Sequence, residues 1–330
     1  LERAVGVLTR GLEVALAAAT AGAPVMDVRA QPVARQLRRL AEGSIFSDVD
    51  RADVLFRMGV CRWTLSSIST AVALFDEALA LCESSELPCD GLRSDIHHWR
   101  SRCRRRQRDF EAAREDADRA LELATGVEDR RKMADAYFQA SLVAERTGHW
   151  VLSRSYAEQA KALFQELDDE RTVGRLLNNL GGLSLLLGKP EQAIEQLKAS
   201  FAVALDVDSE ADAGRAVNGL ATVHLHLGEW EQAEAHARQA IALLEGREDF
   251  LGELGQTHLM LGRALMELGR LDEAEQSFRT ADALFEQHES ASHRAGAWVA
   301  LGDLAARRGD ESEAARLYRN AAETLQDLRF

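Results

Sequence analysis

LLNNLGGLSLLLGKPEQAIEQLKASF, residues 176–201, aligns without gaps on AVNGLATVHLHLGEWEQAEAHARQAI, residues 216–241, forty positions further on. A repeat of that length marks a stacked array rather than a single globular core. Carried outward, the register gives seven units over residues 51–330, each a helix, a tight turn and a second helix. One column of the first helix holds Gly59, Ser101, Ser141, Gly181, Ala221, Gly262 and Gly302. Twelve residues on, the second helix holds Ala71, Ala113, Ser153, Ala193, Ala233, Ala274 and Ala314, and seven further come Ala78, Ala120, Ala160, Ser200, Ala240, Ala281 and Ala321. All twenty-one are Gly, Ala or Ser, although these make up only about three in ten of the chain. Chance would place roughly six there. The physical reason is close approach: two helices cross near the short end of the usual ~8–10 Å range only if the side chains at the crossing are small. Leu180, Leu220, Leu261 and Leu301 then fill the layer between them.

The turns follow the same register. Gly148, Gly188, Gly228, Gly269 and Gly309 end the first helices, where a left-handed cap suits glycine, whereas the first two turns carry Ser66 and Arg108. Four prolines in 330 residues leave long stretches free for helix. The composition, 46% hydrophobic and 28% charged, is that of a folded chain. A net charge of −14 argues against general nucleic-acid binding by this chain. Four cysteines (Cys61, Cys82, Cys89, Cys103) with no C-x-x-C pair lean towards a reducing compartment. No run of about eighteen uncharged apolar residues is present to span a membrane. The expected location is cytoplasmic.

With L-x2-L-G in the first helix and alanines in the second, the pattern resembles the tetratricopeptide repeat over nearly the whole chain from Asp53 onward. The forty-residue units are similar to the long repeats of kinesin light chains and of bacterial helix-turn-helix regulators. The resemblance implies an all-α, right-handed α-solenoid (superhelix) of antiparallel helix pairs, first helices lining the concave face. The opening LERAVGVLTRGLEVA overlays the second helix that starts at Leu271. Residues 1–50 are therefore expected to be a half-repeat helix plus an irregular insertion with a short helix from Val33 to Glu42. The chain is expected to be part of something longer. At the other end, Leu317, Tyr318, Leu325 and Leu328 are expected to lie partly uncovered, which makes a homodimer through the C-terminal helix possible.

On that face one column reads Phe56, His98, Phe138, Asn178, Asn218, Leu259 and Val299. An asparagine amide offers both donor and acceptor to the backbone of an extended peptide. Asn178 and Asn218, with Asn179 and Thr222, are the candidate peptide-holding residues, and Arg175 and Arg215, one turn earlier, would add an anionic contact. The alternative is that these asparagines are merely solvated. A second patch lies in WRSRCRRRQRDF, residues 99–110. His98, Arg102, Arg105 and Arg106 share one helical stripe and could clamp a carboxylate or a phosphate. Alternatively, these arginines pair with Glu111, Glu115 and Asp116. A duplex would gain few phosphate contacts from one short basic helix.

No catalytic or metal-binding motif is found, and no cofactor is implied. The stretch from Gly182 to Lys189 imitates a phosphate loop, but its glycine spacing is one too long and Pro190 follows the lysine. His224 and His226 are two apart on a helix and point in different directions. His97 and His98 form no H-E-x-x-H arrangement. Cys61 and Cys103 share a column next to the small residue and read as core. Trp63, Trp99, Trp150, Trp230 and Trp298 are scattered over several repeat columns, so spacing alone builds no aromatic box. The expected function is therefore non-catalytic binding of a protein or peptide. Its sharper form, which the resemblance implies, is the sensing region of a bacterial transcriptional regulator; the alternative is a constitutive scaffold.

Overall fold

A computed structural model describes residues 47–247 and 250–327. The expected elements within 1–46, including the Val33–Glu42 helix, and Leu328 lie outside the described residues. Among the described residues there are fourteen helices and no strand. They form seven pairs: α1 (Asp48–Thr64) with α2 (Ile68–Ser84), α3 (Asp90–Arg106) with α4 (Phe110–Gly126), α5 (Arg130–Arg146) with α6 (Trp150–Glu166), and α7 (Glu170–Leu186) with α8 (Pro190–Asp206). The remaining pairs are α9 (Glu210–Leu227) with α10 (Trp230–Leu244), α11 (Leu251–Glu267) with α12 (Leu271–Gln287), and α13 (Ala291–Arg307) with α14 (Glu311–Asp327). Helices α1–α6 belong to one compact unit, Leu1–Asp168, and α7–α14 to a second, Asp169–Phe330. Within each unit every helix packs on its pair mate and on the next pair, and successive first helices also touch one another. The first helices thus form a continuous inner layer in each unit.

Each start and stop has a local cause. Ser47 caps α1 with a reciprocal capping box to Asp50. Asp109, Asp129 and Asp169 accept the free N–H groups that open α4, α5 and α7, and Pro190 opens α8. Within the pairs, Gly148, Gly188, Gly228, Gly269 and Gly309 take positive φ, and so do Ser66 (58°) and Arg108 (65°) at the two turns without glycine. The closing bond is the same in both kinds: His149 N–H donates to Ala144 O at 2.9 Å, and Asp109 N–H to Arg104 O at 3.0 Å. Between pairs, Glu128, Asp168, Asp208 and Glu289 adopt the same conformation without glycine.

Every residue of the three small columns is buried. A fourth column, unnoticed in the sequence, is equally small and buried: Ala52, Ser94, Ala134, Gly174, Gly214, Gly255 and Ala295. The glycines also read out their partners' size. A Cβ on Gly59, Gly181, Gly262 or Gly302 would lie 2.4–2.6 Å from an atom of Phe75, Leu197, Phe278 or Tyr318, sixteen residues on. Where the first helix carries Ser101, Ser141 or Ala221 instead, the residue sixteen on is Ala117, Ala157 or Ala237. Volume is exchanged across each crossing, as close packing requires. Buried serines that replace glycine or alanine bond across the crossing, as Ser101 Oγ does to Ala113 O at 2.6 Å and Ser153 Oγ to Ser141 O at 2.8 Å.

At the last helix the expectation is corrected for Leu317. It is only 7% exposed, because it shares with Ala314 and Ala321 the face of α14 that packs on α13. Tyr318 and Leu325 are exposed at 38% and 44%.

Candidate functional site

In the second unit the inner layer of α7, α9 and α11 gathers the candidate residues around a carboxylate the sequence reading did not single out. Asp212, 7% exposed near the start of α9, receives Arg175 Nε at 3.3 Å, Arg215 NH1 at 3.2 Å and Arg171 Nε at 3.4 Å. Ser209 Oγ donates to it at 2.8 Å. Burial pushes the Asp212 carboxyl up, but the Ser209 hydrogen bond and the charges of Arg175 and Arg215 outweigh it and hold it below the usual carboxylate range. Arg215 also reaches Glu253 at 3.3 Å and stacks 4.9 Å from the Phe250 ring. Arg175 and Arg215 are therefore brought together, but with their charge already shared. The forty-residue spacing of Arg171 and Arg175 from Ala211 and Arg215 was the only sequence signal for this junction.

One turn further along, Asn178 and Asn218 are half-buried in equivalent positions of α7 and α9. The fully buried Thr257 hydroxyl sits 3.0 Å from Asn218 Oδ1 and 2.8 Å from Glu253 O, tying down one end of the Asn218 amide. No hydrogen bond of the Asn178 or Asn179 amide is formed within the described residues. Thr222 is less available than its position suggested: its hydroxyl turns back to Asn218 O at 3.0 Å and to Met260 Sδ at 3.1 Å.

In the first unit the basic stripe divides by function. Asp116, 2% exposed on α4, takes Arg100 at 2.6 Å, Arg104 at 3.0 Å and His97 at 2.8 Å. This carboxylate thus pairs with the side of α3 away from His98, Arg102, Arg105 and Arg106. Arg102 stacks on two indoles, 4.5 Å from Trp63 and 4.3 Å from Trp99. The two rings meet edge-on at 5.2 Å. Spacing did not reveal this pair, because Trp63 lies four residues after its small-column residue and Trp99 two before its own. Adjacency of α1 and α3 joins them. His98 is half-buried, and desolvation, aided by the charge of Arg102, lowers it to about 3. It therefore adds no positive charge to the patch, contrary to the role read from its position.

Burial raises the thiols of Cys61 and Cys103 to about 11, the behaviour of core residues. His224 bonds Glu229 at 2.6 Å and stacks on His236 at 5.1 Å. No group of three or more potential metal ligands occurs among the described residues, and no described helix is long and apolar enough to cross a membrane.

The stacked antiparallel pairs, their small crossings and the glycine-capped turns define an all-α repeat protein of the tetratricopeptide type. Family models for the tetratricopeptide repeat match residues 172–246 and 259–327, and the chain belongs to that superfamily. A comparison with curated proteins finds no match. Similar solved structures include the quorum sensor NprR from B. thuringiensis in its apo form, with a TM-score of 0.71 at 14% identity over 89% of this chain and 81% of that one. Apo RapI gives 0.70 at 12% identity, covering 84% of this chain and 98% of that one. A Rap protein complexed with competence and sporulation factor gives 0.69 at 18% identity, covering 100% and 94%.

Proposed function

We propose that the inner face of α7, α9 and α11 binds an extended peptide, that the chain is non-catalytic, and that it serves as the sensing region of a bacterial transcriptional regulator. The carrying observation is the column of Asn178 and Asn218, half-buried amides one repeat apart, the second tied at one end by Thr257. With Oδ1 so engaged, Asn218 presents its Nδ2 N–H groups to a ligand's C=O, while the Asn178 amide offers both donor and acceptor, so the pair follows peptide backbone without regard to its side chains. The arginines held at Asp212 supply a structured rim beside them. The likeness to a quorum sensor and to a Rap protein bound to competence and sporulation factor supports a peptide as the ligand.

The test is retention of a random heptapeptide pool on the immobilised full chain, read by mass spectrometry. Asn178→Ala with Asn218→Ala is expected to cut retention tenfold or more with unchanged circular dichroism; equal retention would refute the reading. Adding the retained peptide to the free chain then separates the roles. A change in hydrogen exchange or sedimentation marks a sensor, and no response marks a constitutive scaffold.

A further inference from the structure

Inside the second unit, the large residue of a second helix is clasped from two sides. Leu197 of α8 fills the space over Gly181 of its own pair and over Gly219 of the next, since a Cβ on either glycine would lie 2.6 Å from one of its atoms. It is 1% exposed, and Phe278, at the same position of α12, is fully buried. Tyr318 holds that position in α14. Its ring lies over Gly302 and its hydroxyl donates to Asp303 Oδ1 at 2.8 Å, so the side towards its own pair is filled as elsewhere. On the other side, where α9 offers Gly219 to Leu197, no further pair follows among the described residues, and Tyr318 is left 38% exposed.

The residues around Tyr318 also differ in kind from those of an internal helix. From α10 and α12, charged side chains reach forward to the next pair: Glu234 to Arg270 at 2.7 Å, Asp282 to Arg294 at 2.8 Å, and Glu275 to Arg308. Forty residues after Glu275 and Asp282 stand Ala315 and Ala322, both exposed. Leu325, forty after the fully buried Phe285, completes a stripe of Ala315, Tyr318, Ala322 and Leu325 that carries no charge. The exposed Arg319 and Glu323 border it, as a polar rim does. Single apolar residues at a surface need no explanation, but a contiguous stripe in place of charged residues marks a contact.

We infer that this stripe is the surface through which two copies of the chain associate. The choice of a second copy rests on the spacing. The four residues stand five and two positions before residue 320 and two and five after it, small and large in exchange. Laid antiparallel about a two-fold axis at that level, the stripe sets Tyr318 against the partner's Ala322 and Leu325 against the partner's Ala315. This is the large-against-small rule that Gly262 and Phe278, or Gly59 and Phe75, obey within the array. A two-fold contact makes each pairing twice. It uses no residue of the inner face, so its failure would leave the peptide reading untouched.

A contact of one helix face is small, and interfaces below about 1,200 Å² in total are weak and transient. Sedimentation equilibrium of the full chain is therefore run over about a hundredfold range of concentration reaching about 1 mM. A monomer–dimer equilibrium is expected that changes little between low and high salt, because no ion pair carries it. Ala315→Glu with Ala322→Asp gives α14 the forward-facing residues that α12 already carries, and is expected to weaken association tenfold or more. Ala322→Leu adds apolar surface opposite Tyr318 and is expected to weaken association severalfold by spoiling the exchange of sizes; a face that was merely sticky would gain from it. A chain that stays monomeric throughout, a dimer indifferent to the charged variant, or one tightened by Ala322→Leu overturns the inference.

Discussion

Gly262 and Phe278 test whether volume exchange across the helix crossing is the rule that builds this array. A Cβ placed on Gly262 would lie 2.4 Å from Phe278 Cε1 and 2.5 Å from Cδ1, both in buried surroundings. Carbon atoms pack best at about 3.5–4.0 Å, so Gly262→Ala forces the ring or the helix to shift. Overpacking of this kind costs about 1–3 kcal/mol, offset in part by the roughly 1 kcal/mol that alanine gains over glycine in a helix. Phe278→Ala alone empties the crossing and is expected to cost about 3–5 kcal/mol. With the ring gone, Gly262→Ala meets no clash and restores the Ala–Ala crossing already present at Ala221 and Ala237. In that background it is expected to stabilise by about 0.5–1 kcal/mol, giving a coupling of about 1–3 kcal/mol across the cycle, the overpacking cost itself. The assay is urea unfolding of all four forms, with hydrogen exchange in α11 and α12, since repeat arrays need not unfold in a single step. Equal effects of Gly262→Ala in both backgrounds, with a coupling below about 0.5 kcal/mol, would refute the reasoning.

Asp212 has a folded pKa below its unfolded value, so its contribution is present above about pH 4 and is lost as pH falls through the folded pKa. Asp212→Asn is expected to cost about 1–3 kcal/mol at pH 7 by denaturation, and to flatten the acid limb of the stability profile. An unchanged acid limb would contradict the assignment. Ser66→Gly and Arg108→Gly relieve side chains held at φ 58° and 65° and are expected to raise stability by about 1 kcal/mol each in thermal melts. A thiol reagent at pH 8 is expected to modify Cys61 and Cys103 only as fast as the native structure opens, because burial keeps both thiols near 11. Rapid labelling of either in the folded chain would show that it is not core.

The repeat was legible because its cause is local and strict: a crossing that admits only Gly, Ala or Ser leaves the same mark every forty residues. The fourth small column was just as regular, at Gly174, Gly214 and Gly255, yet it passed unnoticed among the many other alanines and glycines of the first helices. Turns without glycine were only half visible. Asp168 and Asp208 adopt the left-handed conformation without the residue that usually signals it, because the backbone bond that closes the turn, such as Ser209 N–H to Ala204 O at 2.8 Å, outweighs the local cost. The candidate sites were legible as columns but not as contacts. Thr222 stands in the right column, and its hydroxyl bonds its own helix instead. Trp63 and Trp99 stand in unrelated columns and meet because neighbouring first helices are offset.

The disposition of charge separates the two basic clusters more sharply than their sequences do. Both project from first helices of an acidic chain, and both contain arginines one helical turn apart. In the second unit a buried carboxylate stands at the junction and collects Arg171, Arg175 and Arg215, so that their geometry is fixed and their charge is largely balanced from within. Such arginines shape a rim and discriminate weakly for charge. In the first unit the comparable carboxylate, Asp116, lies on α4 and draws off Arg100 and Arg104, leaving the other side of α3 with Arg105 and Arg106 beside Arg146. Of these, Arg105 is half-buried with Arg146 and Glu145 as charged neighbours, while Arg106 and Arg146 are exposed, so solvent and Glu145 moderate their charge.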